Sequence, residues 1–134
     1  MLLDDLADKL TSQGVGTAAE IFKTSMPSTP DELLVLLQTA GGPLERAMSA
    51  SAGTALIERP HVQLRARAAR PDTAHKRAQD AYHALDHLGP VAINGVLYHW
   101  IEALQAPFFL EEDNAGRHLY VVNFEILREL ATSS

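Results

Sequence analysis

The segment Pro60-His61-Val62-Gln63-Leu64-Arg65-Ala66-Arg67-Ala68 alternates strictly between apolar and polar residues. Successive side chains on a strand point to opposite faces, so Val62, Leu64, Ala66 and Ala68 share one face. Gln63, Arg65 and Arg67 share the other. Such a strand belongs to a sheet with one face on a core and one face wet or held for a partner. Pro60 suits the first strand position, where a missing N–H costs least. Pro71-Asp72 then opens a helix, with Asp72 as its N-cap. Ala74, Ala78, Ala81, Tyr82, Leu85 and Leu88 recur at helical spacing and make a narrow apolar stripe. Gly89-Pro90 is the expected stop.

The flanking chain supplies partners for this strand and helix. Leu3, Leu6, Ala7 and Leu10 fall on one face of an N-terminal helix that Gly14 and Gly16 end. Glu20 to Lys23 reads as a short edge strand, and the prolines at 27 and 30 mark a turn-rich connection. Leu33-Leu34-Val35-Leu36-Leu37 favours helix by local propensity. Its shortness between Pro30 and Gly41-Gly42 favours instead a strand buried on both faces. Residues 41–57, rich in Gly, Ala and Ser, hold no apolar period and read as a long loop or hairpin arm. Asn94-Gly95 is the strongest short hairpin signal and centres residues 91–105. Ala106-Pro107 breaks the following strand, and residues 111–116 form a polar turn. A last strand carries Tyr120, Val122, Phe124 and Ile126 on one face, before a frayed tail at 131–134. The expected architecture is α+β: a single, mostly antiparallel sheet of four to five strands with two helices packed on one face. At 134 residues the chain reads as a single domain.

Several function classes are disfavoured. No apolar run approaches the roughly 20 residues of a membrane span. The acidic start Met1-Leu2-Leu3-Asp4-Asp5 lacks the basic end of a signal peptide. Zero cysteines exclude disulfides and thiolate metal sites, which agrees with a cytoplasmic origin. A net charge of −6 argues against gripping nucleic acid as the main task. His83 and His87 have the i, i+4 spacing of zinc ligands but lack the accompanying Glu and a third ligand. Glu111, Glu112, Asp113 and Asn114 lack the alternating spacing of a calcium loop. Gly14-Val15-Gly16 and Gly41-Gly42 lack the Lys-Ser/Thr of a phosphate loop, and no serine sits in a nucleophile elbow. The reading is therefore a non-enzymatic chain with no cofactor and no metal. Trp100 reads as core, whereas Arg65 and Arg67 suit an interface, because arginine pairs planar carboxylates well.

A set of residues in order then resembles a known family. Pro27…Pro30-Asp31 precedes an apolar strand, and Gly41-Gly42-Pro43 is followed by Arg46. Ile57-Glu58-Arg59-Pro60 leads into Val62-Gln63-x-Arg65-x-Arg67, then Ala81-Tyr82-x-Ala84-Leu85. Asn94-Gly95, Gln105-x-Pro107, Asp113-x-x-Gly116-Arg117 and Asn123-Phe124-Glu125 complete it. Together these resemble the minor capsid and tail-terminator-like proteins of long-tailed bacteriophages and prophages, over nearly the whole chain. The resemblance implies a virion component at the head–tail junction, assembled in the host cytoplasm. It implies a ring, typically of six copies, at the head-proximal end of the tail tube. That ring stops tube polymerisation and meets the head connector or head-completion protein, and DNA passes its bore without specific binding. The family carries no catalytic residues. Fitted to that role, Gln63, Arg65 and Arg67, with Arg59 beside them and Arg46 and Met48 in the arm, are the candidate interface for a second copy or partner. Two alternatives stay open: a head-completion or connector protein, and a small cytoplasmic binding domain unrelated to virions.

Overall fold

In the computed structural model, residues 2–17, 19–41, 45–46 and 56–129 are described. In chain order the elements are α1 (Leu2–Ser12), β1 (Ile21–Lys23), β2 (Leu33–Gly41), β3 (Glu45–Arg46), β4 (Leu56–Glu58) and β5 (Pro60–Ala68). They continue as α2 (Pro71–Leu85), β6 (Val91–Ile93), β7 (Val96–Ala103), β8 (Phe108–Glu112) and β9 (His118–Glu129). The alternating strand β5 lies between β2 and β9, antiparallel to both. Leu64 stands opposite Leu36 on one side and Val122 on the other. The long strand β9 organises the far side: it pairs β5 and β4 along one edge, and β8 and β7 along the other. Among the described residues β1 is the only parallel addition, beside β2.

The face bearing Val62, Leu64 and Ala66 carries the main core. Leu34 and Leu36 of β2, and Val122, Phe124 and Ile126 of β9, extend it, all of them fully buried. Both helices pack here. α1 contributes Leu2, Leu3, Leu6, Ala7 and Leu10, and α2 contributes Ala78, Ala81 and Leu85. The alanines on α2 explain its close seat, because they hold the helix axis near the sheet without displacing larger strand side chains.

The apolar run of β2 is buried on both faces: Leu34 and Leu36 toward the helices, Leu33 and Val35 away from them. Leu119 and Val121 of β9 are buried on that second face as well. Two-sided burial overrides the helix propensity of the leucines, since a helix would leave part of the run in water. At the hairpin, Asn94 and Gly95 have φ of 50° and 81°. These are the paired positive values that a two-residue turn needs to match strand twist.

The structure corrects three expectations. Among the described residues the sheet has nine strands, not four to five. The additional strands are two to five residues long, too short for any period to show in sequence. The N-cap of α2 is Arg70 rather than Asp72, with Pro71 as the first helical residue. The helix also ends at Leu85, four residues before Gly89. Asp86 turns extended there, and its Oδ1 accepts the Ala103 N–H at 2.8 Å, which ties the helix end to β7.

Gly89 then passes so close to β7 that an added Cβ would lie 2.6 Å from the His99 carbonyl oxygen and 2.9 Å from Trp100 Cα. Its φ of +122° is also one that side chains rarely adopt. Gly89→Ala is expected to destabilise the fold by about 1–3 kcal/mol or more, because backbone rather than a flexible side chain must move. A urea-unfolding midpoint equal to that of the parent would contradict this close approach.

Candidate functional site

The face of the sheet opposite the helices carries the sequence-derived candidates. Residues 61, 63, 65 and 67 of β5 alternate onto it, joined by Asn123 and Glu125 of β9 and half-buried Leu37 of β2. Polar side chains are joined across the strands. His61 Nε2 lies 3.0 Å from Glu125 Oε2, and Arg59 Nη1 lies 3.6 Å from the other oxygen of Glu125. Gln63 Nε2 donates to Asn123 Oδ1 at 3.0 Å. Arg65 Nε donates to Gln63 Oε1 at 2.7 Å. Cross-strand pairs of this kind hold a sheet face in one conformation. Arg65 makes no ion pair among the described residues.

Arg67 is on the same face but is only 3% exposed. Its Nη2 donates to the Pro30 carbonyl at 2.6 Å and its Nε to the Asp31 carbonyl at 3.2 Å. The guanidinium thus fastens the proline-rich connection to the sheet. Arg117 reinforces that attachment, donating to the Ser28 carbonyl and lying 3.3 Å from Asp31 Oδ1. Arg46 lies in β3, opposite Leu56 of β4. Met48 and most of the 41–57 arm lie outside the described residues. The structure therefore brings Gln63, Arg65 and Arg59 together with His61, Asn123 and Glu125, while Arg67 is turned inward.

Arg117 depends on the turn before it. Asp113 Oδ1 accepts the Arg117 N–H at 2.9 Å and Oδ2 accepts its Nε at 2.8 Å. The Arg117 backbone donor, then its guanidinium, hold the Asp113 carboxyl below its ordinary value of 3.8. A depressed folded-state pKa stabilises the native turn fully above that ordinary value, and the contribution is lost as pH falls through the folded value. Protection of the Arg117 amide against hydrogen exchange is expected to fall below about pH 4. In Asp113→Asn the acid-dependent part should vanish; protection unchanged down to pH 2 in the parent would refute the coupling.

Two other features lie outside the sequence-derived candidates. β8 is an edge strand with exposed apolar side chains: Phe108, Phe109 and Leu110, preceded by Leu104 at 53% exposure. Phe109 rests edge-on against Tyr120, which stacks on His75. The apolar run after Pro107 is the signal that marks this strand. The second feature is buried. Asp5 of α1, 1% exposed, accepts from Tyr98 Oη at 2.6 Å and from Asn94 Nδ2 at 2.8 Å. Arg128 donates to Tyr98 Oη at 3.2 Å and to Glu58 Oε1 at 2.6 Å. No period reveals such a network, because its members lie up to 123 positions apart in sequence and meet only once the sheet has formed.

His87, expected on the helix with His83, lies beyond its end with φ of 58°, so the two imidazoles do not share a helical face. Among the described residues no group of three potential metal ligands comes together. No helix among them is long and apolar enough to cross a membrane.

A family model described as bacteriophage tail terminator protein matches residues 9–130. No curated protein matches the sequence. A chain in the solved structure described as the virion of native gene transfer agent (GTA) particle has the same fold, with a TM-score of 0.61. The match covers 96% of this chain and 95% of that one, at 15% identity.

Proposed function

Because this chain belongs to the bacteriophage tail terminator family, we propose that it closes a ring, of six copies, on the head-proximal end of the tail tube. It is a structural protein of the virion tail and not an enzyme. The observation that carries the proposal is the family match, which spans almost the whole described fold. In this reading one side of the ring docks on the last tier of tube subunits. The other side offers the tube protein no matching surface, so polymerisation stops, and presents itself to the head-completion or connector protein instead.

A closed ring requires heterologous contact, with two different patches on every subunit. The Gln63, Arg65 and Arg59 face is one of them. Its side chains are already held by Asn123 and Glu125, so little conformational freedom is lost on docking. Arg67 serves the contact indirectly, by fixing the connection at 30–31 that flanks the face. Arg46 and Met48 of the arm are proposed as further members of that contact. DNA passes the bore unheld, which a net charge of −6 favours, since a basic lining would retain phosphate.

Add-back tests this role. Purified protein added to tail-tube subunits during polymerisation is expected to shorten the tubes in proportion to its concentration and to leave a ring on one end. Tube lengths independent of the added protein would refute it.

A further inference from the structure

We propose that strand β8 is the second ring patch, and that it seats on the Leu37, Gln63 and Arg65 face of the next copy of this chain. The proposal rests on the ring reading above and names the contact which that reading leaves open. Among the described residues the exposed large hydrophobics are Leu104, Phe108, Phe109 and Leu110, and all four lie on or just before β8. Contiguous exposed apolar side chains on an edge strand invite association, and soluble chains ordinarily cover such edges or place charge on them. Here the pairing is one-sided: among the described residues β8 bonds β9 alone.

Charge selects the occupant. The exposed run ends in Glu111 and Glu112, and Glu111 makes no ion pair among the described residues. Arg65 is the complementary group, bonded among the described residues only to a neutral glutamine. Arginine also suits the apolar half of β8. Its flat guanidinium stacks on aromatic rings, and its stem covers apolar surface beside Leu37. Each subunit then carries an apolar-acidic strand at one place and an arginine face at another. That is the unlike pair a head-to-tail ring requires.

Within one chain Arg65 and Glu111 make no ion pair among the described residues, and β9 separates their strands. β9 lies between β5 and β8, so Gln63 and Leu110 stand at least two strand spacings apart, about 9.6 Å. A disulfide needs Cα atoms within about 7 Å. The chain has no cysteine of its own, so an engineered pair reports only the designed contact.

The experiment places Gln63→Cys and Leu110→Cys in one chain, oxidises tails assembled with it, and separates the products without reductant. A ladder of covalent multimers is expected, ending at the copy number of the ring, and either substitution alone should give monomer. Ring loss in Glu111→Arg, restored by combining it with Arg65→Glu, is the second expected result. Rings visible on the tube with the 63–110 pair uncoupled, although both thiols react with a labelling reagent, would overturn the β8 contact while leaving the ring itself standing. Tubes of ordinary length that carry no ring would remove the ring reading, and this contact with it.

Discussion

Asp5→Ala is expected to lower the unfolding free energy by about 3–5 kcal/mol, because removing one member of a buried charged network strands the others. Asp5 is the point at which four elements meet. It sits on α1, takes the Tyr98 hydroxyl of β7 and the Asn94 amide of the hairpin turn, and lies 3.8 Å from Arg128 of β9. Burial, and then the hydrogen bond to Asp5, hold the Tyr98 phenol well above its ordinary value, so it stays a neutral donor throughout the physiological range. With the carboxylate gone, the Tyr98 hydroxyl loses its acceptor and Arg128 keeps only Glu58 as a counter-charge. Asp5→Asn retains an acceptor of the same shape and should cost less. Asp4 provides the contrast one residue away. Its ion pair with Lys23 is solvent-exposed, and Asp4→Ala should leave the midpoint nearly unchanged. Urea unfolding of the three variants checks the ordering. Equal midpoints for Asp4→Ala and Asp5→Ala would show that the network contributes nothing.

The second large effect is on assembly rather than folding. Arg65→Glu is expected to abolish head joining while shifting the unfolding free energy by less than about 0.5 kcal/mol, as for surface changes away from buried features. The side chain is half-exposed and its one bond among the described residues is to Gln63, so the fold does not rely on its charge. At a subunit contact the reversal places like charges together, which costs several kcal/mol. Yield of infectious or DNA-containing particles is the readout, with a fall of roughly 100-fold or more expected for about 3 kcal/mol at each repeated contact. Arg67→Glu should behave in the opposite way. It ought to weaken the folded chain first, because its guanidinium is buried against two backbone carbonyls. A parent-like particle yield from Arg65→Glu would withdraw the face from the ring.

The parts of the fold that were legible in the sequence share one property: their signal is local. β5 and α2 declare themselves by period, and Asn94-Gly95 declares its turn by backbone chemistry. β2 required a choice between leucine propensity and shortness, and burial on both faces decided it. What stayed hidden depends on contacts made far along the chain. β3 and β4 are two or three residues long and exist because β9 offers β4 an edge and β4 offers one to β3. β8 has an apolar run, but half of it continues into acids that read as a turn. Asp5 looked like any acid in the first turn of a helix, and nothing near it in sequence names Tyr98 or Arg128. Of the interface candidates, Gln63 and Arg65 were readable because alternation puts them on one face. The inward turn of Arg67 was not, because the carbonyls that hold it lie 36 and 37 residues earlier.

Negative-stain microscopy of tails assembled with and without this protein tests the central claim most directly. The terminator reading predicts overlong tubes without heads in its absence, their upper ends lacking a ring, and tubes of uniform length bearing a ring when it is supplied. Tubes of uniform length joined to filled heads in both preparations would contradict it.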